Sequence, residues 1–215
     1  LYQQNTMRDA IAAACNLNIF NNQGDRVQMA NIAQVVNVLQ AMILTKGDKM
    51  ILTPTYWVFD LYKVHQDAMM VPVKVSSSDY VYKGDKIPAV NCSVSVDSTH
   101  KMHISLCHID PDKPEEVELS LESFRVDKIS GKILTASKMN AHNTFDNPAE
   151  VKPADFSEFQ LNGNNLKVNI PRMSVIVLEL KGKVEFKKHE IKLENPKHGV
   201  DYNYYEYGGT SLPNS

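Results

Sequence analysis

The sequence predicts a mainly β protein, an antiparallel β-sandwich preceded by a helix–strand–helix segment. After about Met69, short β-rich runs follow one another: MMVPVKV, AVNCSVSV, MHISLCHI, EEVELSL, KILTA, NLKVNI and MSVIVLEL. Ser, Asp, Gly, Asn and Pro separate them, and strands at this density with no helix between them are the pattern of a sandwich. Before Met69 the apolar residues instead recur at helical spacing. No internal repeat of fixed period is present, and 215 residues can hold one sizeable domain or two modest ones.

Taken in order, Thr6 followed by Asp9 marks a helix start, with a hydroxyl and a carboxylate near the positive helix end. Met7, Ala10, Ile11, Ala14 and Cys15 then form one apolar stripe, and the helix is expected to end near Asn18. Asn21, Asn22 and Gly24 break the chain. Val27 to Ile32 reads as a short strand buried on both faces. Val35 to Leu52 is too long for a tight turn and is expected to form a structured loop containing a hairpin that turns at Lys46-Gly47-Asp48. Thr53 and Pro54 start a second helix, because proline fits the first helical position. Val58, Leu61, Tyr62 and His65 lie along one side of it.

Composition removes several function classes. A formal charge of -2 gives no basic face for nucleic acid, and the KGKVEFKKHEIK run near Lys181 reads as a solvated edge. No window approaches the roughly 18 apolar residues of a membrane span. No signal peptide is visible, but the chain starts at Leu1 without Met, so any export signal would sit upstream. Cys15, Cys92 and Cys107 have no CxxC spacing. The tempting bridge is Cys92 with Cys107. Aligning the apolar face Val90, Cys92, Val94 and Val96 with Met102, Ile104 and Leu106 pairs Val96 with Met102. Cys107 then falls on the opposite side from Cys92, so free thiols are expected.

The stretch RVQMANIAQVVNVLQAMILTKGDKMILTPTYWVFDLYKVHQ, from Arg26 to Gln66, resembles the last strand and helix of the catalytic barrel in α-L-arabinofuranosidases of glycoside hydrolase family 51. QQNTMRDAIAAACNLNIF, ISLCHIDPDKPEEVELSL and ILTASKMNAHNTFDNP agree in order and spacing, so the resemblance covers roughly Tyr2 to Leu180. It implies that residues 1–68 are the last α-β-α portion of a truncated (β/α)8 barrel and residues 69–187 a jelly-roll-like sandwich. Residues 188–215 are then a tyrosine-rich extension. That extension weakly resembles the opening strand of a PA14-type module, and otherwise reads as a strand or tail covering the sandwich.

The resemblance also implies a retaining hydrolase of terminal α-L-arabinofuranosyl groups in arabinan or arabinoxylan, with no cofactor. Such an enzyme needs two carboxyl groups about 5–5.5 Å apart, and in the family both glutamates precede Leu1. The fragment alone is then expected to be inactive. Gln34, at the end of MANIAQ, is the one residue carried over to substrate binding. Barrel sites form at the carboxyl ends of strands, and an amide both donates to and accepts from sugar hydroxyls.

Asn31 is expected to be buried and bonded to the barrel backbone. Trp57 stands where the family pattern tends to have His, and is expected to pack against the barrel rather than stack on sugar. Asp110, Asp112, Glu115 and Glu116 read as a solvated loop. His100, His103 and His108 invite a metal reading, but His103 and His108 point to opposite faces of one strand and His100 falls in the hairpin loop, so no metal site is expected. His142 belongs to a polar turn supporting the sandwich, and the Asn91-Cys92-Ser93 glycosylation pattern lies inside a strand as a chance match.

Severed from their neighbours, the first sixty-odd residues must fold back on the sandwich, self-associate, or pair with an amino-terminal barrel portion. An extracellular or periplasmic location is expected over a cytoplasmic one. The rival reading is a non-catalytic carbohydrate-binding or structural sandwich, with Tyr80, Tyr82, Tyr202, Tyr204, Tyr205 and Tyr207 as the aromatic face.

Overall fold

The computed structural model describes residues 5–33, 35–121 and 124–184. In chain order the elements are α1 (Met7–Asn22), β1 (Ile43–Lys46), β2 (Lys49–Leu52), α2 (Pro54–Tyr62) and a single 3-10 turn (Lys63–His65). There follow β3 (Met69–Val71), β4 (Asp79–Tyr82), β5 (Asp85–Pro88), β6 (Val90–Val96), β7 (Met102–His108) and β8 (Glu115–Ser120). The chain continues through β9 (Phe124–Thr135), β10 (Ala154–Phe156), β11 (Phe159–Asn162), β12 (Asn165–Ile170) and β13 (Ser174–Val184).

Two antiparallel sheets make the sandwich. One has six strands in the order β10-β9-β13-β7-β6-β3, the other three in the order β11-β12-β8. Their facing sides form one core: Val94, Ile104, Leu106, Ile176, Leu178 and Leu180 from the large sheet meet Val117, Leu119, Leu166, Val168 and Ile170 from the small one. The β6–β7 hairpin pairs Val96 with Met102 and Cys92 with Leu106, the register that the apolar faces dictate. At the far end of β13 the register slips between Lys181 and Gly182. There the backbone of Arg125 approaches Gly182 more closely than any side chain would permit.

The large sheet is apolar on its other side too. Cys107, Leu134, Val175 and Val177 point outward and are covered by Met7, Ala10, Ile11 and Ala14 of α1 and by Val58 and Leu61 of α2. Fully burying one of the larger of these side chains contributes on the order of 1.5–3 kcal/mol. This second core explains why MSVIVLEL reads as a continuous apolar run, and why every residue of β7 is buried. Helices α1 and α2 therefore do fold back on the sandwich.

Both helix starts form as the sequence predicts. The backbone N–H and the hydroxyl of Thr6 donate to Asp9 Oδ2 at 2.8 and 2.7 Å, and the Thr53 hydroxyl accepts from the Tyr56 N–H at 3.3 Å. The predicted hairpin is β1–β2, with Lys46 paired to Lys49. Gly47 takes φ 61° in its two-residue turn, a value glycine adopts without penalty.

Two expectations fail. α1 runs on to Asn22 instead of ending near Asn18, because its asparagines find partners on β6 and do not break the helix. Asn18 Nδ2 donates to the Asn91 carbonyl (3.2 Å), and Asn22 Nδ2 to the Cys92 carbonyl (2.8 Å). These bonds fall on the stretch of β6 that β3 leaves unpaired. The second failure is the doubly buried strand Val27–Ile32. The segment is irregular, Met29 is 75% exposed and Asn31 is exposed rather than bonded inside a barrel. A strand of that kind is held by neighbouring strands on both edges, and among the described residues this segment has none.

The loop 136–153 locks the two parts together. Its carbonyls at Ala141 and Met139 accept the first helical N–H groups of α1, from Met7 (2.9 Å) and Arg8 (3.0 Å), which would otherwise lack partners. Asn143, buried in the same loop, donates to the carbonyls of Leu52 (2.7 Å) and Val151 (2.9 Å) and accepts from the Val151 N–H (2.7 Å). Asn143→Ala strands two buried backbone groups of Val151 as well as one of Leu52. We expect it to lower unfolding free energy by about 2–4 kcal/mol in urea titration; a loss below about 0.5 kcal/mol would mean that the tie is dispensable.

Candidate functional site

Gln34, the one substrate-binding residue the sequence nominates, lies outside the described residues. So do Tyr202, Tyr204, Tyr205 and Tyr207. Tyr80 is half-buried and Tyr82 is exposed on the β4–β5 hairpin, with Lys83 Nζ 5.3 Å from the centre of the Tyr82 ring. The ammonium group takes one face of that exposed ring.

Of the acidic residues expected in one solvated loop, Asp110 and Asp112 lie between β7 and β8, while Glu115 and Glu116 begin β8 itself. Asp110, Glu115 and Glu116 are engaged structurally. Although desolvation opposes it, the N–H groups of Asp112 and Lys113 donate to Asp110 Oδ1 (2.7 and 3.0 Å) and hold its carboxyl below the usual carboxylate range. Glu115 accepts from the Ser78 N–H and hydroxyl (2.9 and 2.7 Å), and Glu116 pairs with Lys167 at 2.9 Å.

The histidines separate. His100 sits in the β6–β7 loop at φ 63°. His108 is fully buried, with Nδ1 3.0 Å from the Pro171 carbonyl. His103, on the opposite face of β7, holds Asp97 at 2.9 Å. Among the described residues, no group of three or more His, Cys, Asp or Glu side chains could hold a metal ion. His142 Nδ1 lies 3.0 Å from the Asn140 carbonyl, in the turn whose Ala141 carbonyl and Asn143 side chain bond to α1 and to Leu52.

The structure brings together one polar cluster that sequence reasoning missed. His65, in the 3-10 turn after α2, is clamped between two serines of adjacent strands: Nδ1 is 2.7 Å from Ser95 Oγ and Nε2 is 2.6 Å from Ser105 Oγ. The His65 and His103 rings are 6.5 Å apart, edge to face. The signal was present in the alternation: with Cys92, Val94 and Val96 on the inner face, Ser93 and Ser95 had to face outward, polar and small, beneath whatever covers the sheet. Beside the cluster lies an open recess of about 530 Å³, lined by Trp57, Asp60, Lys63, His103, Lys132 and Glu179 among others. Its carboxylates are matched by lysines, Asp60 with Lys63 (2.7 Å), Asp155 with Lys132 (2.7 Å) and Glu179 with Lys101 (3.2 Å). Trp57 packs against the second core as a half-buried ring.

Chemically the cluster is a fastener. Ser95 and Ser105 are fully buried, so neither hydroxyl can reach a substrate. Burial, reinforced by the nearby His103, pushes the imidazole of His65 from 6.5 down to about 4.

Fold and site together define a helix-backed antiparallel sandwich whose polar clusters hold its layers together. The profile of the α-L-arabinofuranosidase C-terminal domain family matches residues 1–174. The chain is 45% identical over 181 residues to an intracellular exo-α-L-arabinofuranosidase of Bacteroides ovatus, covering 84% of this chain and 35% of that protein. It is 27% identical over 147 residues to a probable α-L-arabinofuranosidase C of Aspergillus clavatus, covering 63% of this chain and 28% of that one. Among solved structures, the family 51 arabinofuranosidase of Xanthomonas axonopodis pv. citri superposes with a TM-score of 0.82 at 41% identity, over 84% of this chain and 37% of that one. The chain belongs to the α-L-arabinofuranosidase C-terminal domain family and corresponds to the C-terminal region of family 51 glycoside hydrolases. It spans about a third of the length of the Bacteroides relative. The expectation of an extracellular or periplasmic location is corrected, since that relative is described as intracellular.

The His65 clamp has a measurable consequence. An unfolded chain takes up a proton at His65 near pH 6.5, whereas the fold refuses it until about pH 4. The stability it contributes is complete above pH 6.5, and falls by about 3 kcal/mol as the pH drops from there to about 4. His65→Gln, which keeps hydrogen-bonding capacity but cannot titrate, should flatten this part of the stability profile in urea titrations at stepped pH. An unchanged slope in the variant would assign the effect to other groups.

Proposed function

We propose that this chain is the C-terminal part of a retaining α-L-arabinofuranosidase that releases terminal α-L-arabinofuranosyl residues from arabinan or arabinoxylan. The observation that carries this reading is the 45% identity with the Bacteroides exo-enzyme. Residues 1–68 then contribute the closing part of a (β/α)8 barrel, 69–187 the sandwich and 188–215 an extension. The two glutamates belong to the remainder of the barrel, and without them covalent catalysis and proton transfer are lost together, so the chain alone is inactive. No cofactor takes part. Gln34 is this chain's contribution to the substrate site, at the end of a barrel strand that forms only beside its neighbours.

An exposed apolar strip supports a missing partner. Ile19, Phe20, Met29, Val35, Val36 and Leu39 are between 37 and 75% exposed. Exposed apolar side chains gathered within one stretch of sequence, 19–39, point to an interaction surface, and the rest of the barrel is its occupant. When that portion is absent, the strip drives self-association.

The chain alone should not hydrolyse a chromogenic α-L-arabinofuranoside above the buffer blank, while its fusion to the barrel portion of the Bacteroides relative should. Turnover by the isolated chain would overturn the division of labour. In the active fusion, Gln34→Ala should lower kcat/KM about tenfold, the loss of one to two hydrogen bonds at roughly 1 kcal/mol each. An unchanged value would remove Gln34 from the site. Light scattering of the isolated chain should give a mass above that of the monomer, reduced by Met29→Lys with Val36→Lys; a monomer at high concentration would remove the strip as an interface.

A further inference from the structure

The three cysteines are free, and two of them touch. Cys15 Sγ on α1 lies 3.5 Å from Cys107 Sγ on β7, across 92 residues of chain. Cys107 is fully buried under α1, with its sulfur also 3.6 Å from the Ile11 carbonyl, while Cys15 is half-buried at the margin of the helix. Cys92 sits apart: it faces the inner core on the other side of the sheet, so its sulfur cannot reach either of the others. The contact with the Cys107 thiol lowers the proton affinity of Cys15, whereas burial pushes the Cys92 thiol up to about 12. The more accessible sulfur is thus also the one more readily ionised, and thiolate character together with access sets thiol reactivity.

The geometry points to Cys15 and Cys107 as a reversible oxidation site, in which a hydroperoxide oxidises Cys15 and Cys107 resolves it into a disulfide that fastens α1 to the sheet. The Cys15 thiolate attacks one peroxide oxygen, the O–O bond breaks, and hydroxide leaves as a sulfenic acid forms on Cys15. Cys107 sulfur then attacks the Cys15 sulfur. The S–S bond forms, the S–O bond breaks, and the hydroxyl departs with the Cys107 proton as water. Overall, two thiols and one hydrogen peroxide give one disulfide and two water molecules. The sulfurs lose two electrons and the peroxide oxygens gain them. A bonded pair needs a separation of about 2 Å, so a side-chain rotation with a small slide of α1 must close the gap.

The test uses the fully reduced 215-residue chain with near-stoichiometric hydrogen peroxide at neutral pH in native buffer. Unfolding in excess alkylating reagent, digestion and mass spectrometry follow. The expected product is a Cys15–Cys107 linked peptide within a monomer, reversed by dithiothreitol, with Cys92 fully alkylated. Cys15 should lose its free thiol about tenfold or more faster than Cys92. Cys107→Ala should divert Cys15 to sulfenic and sulfinic acid. If that core variant fails to fold, Cys15→Ser serves instead, and its Cys107 should remain alkylatable after peroxide. Three alkylated cysteines, a Cys15 sulfinic acid beside an alkylated Cys107, a link to Cys92, or a dimer on a non-reducing gel would each overturn the proposal.

Discussion

The structure depends on one constraint: the six-stranded sheet is apolar on both faces and must be covered on both. The three-stranded sheet covers the inner face, and α1 with α2 covers the outer one. From this follow the unbroken apolar run of β13, the complete burial of β7, and the position of the loop that accepts the helix N–H groups. The two cores share the strands between them, so the amino-terminal helices are part of the domain's own packing, not an appendage beside it.

Much of this was legible because side-chain alternation is strict. Fixing Val94 and Val96 on one face determined the register of the β6–β7 hairpin, separated Cys92 from Cys107 and put His103 and His108 on opposite sides. Turn chemistry located the β1–β2 hairpin at Gly47, and reciprocal capping located the start of α1 at Thr6. What escaped the reading depends on partners distant in sequence. Asparagine is a helix breaker only when its amide has nothing better to bond, and Asn18, Asn21 and Asn22 meet β6 about 70 residues away. An apolar run becomes a strand only beside other strands, which Val27 to Ile32 lacks among the described residues. The same dependence on distant partners hid the contact of Cys15 with Cys107 and the seating of His65 between Ser95 and Ser105.

The site is a study in what polar residues do when they are not doing chemistry. A catalytic group has to meet its substrate, yet Ser95, Ser105 and His103 are buried, and Asn143 spends its whole amide on backbone groups. These contacts hold helices to strands and loops to both. The carboxylates that line the recess beside them are each paired with a lysine. The layer thereby supplies rigidity to the contacts between helices and sheet.

The position of β13 has a consequence for how the protein comes into being. It is the last described strand in the chain, yet it lies in the middle of the large sheet, hydrogen-bonded to β7 on one side and β9 on the other. Until a ribosome has released residues as far as Leu180, the sheet exists only as two halves with a vacant slot between them, each presenting a raw edge. From the emergence of β7 and β9 until that point, the nascent polypeptide carries two strand edges open to pairing with other chains. Only the arrival of β13 pairs both edges at once.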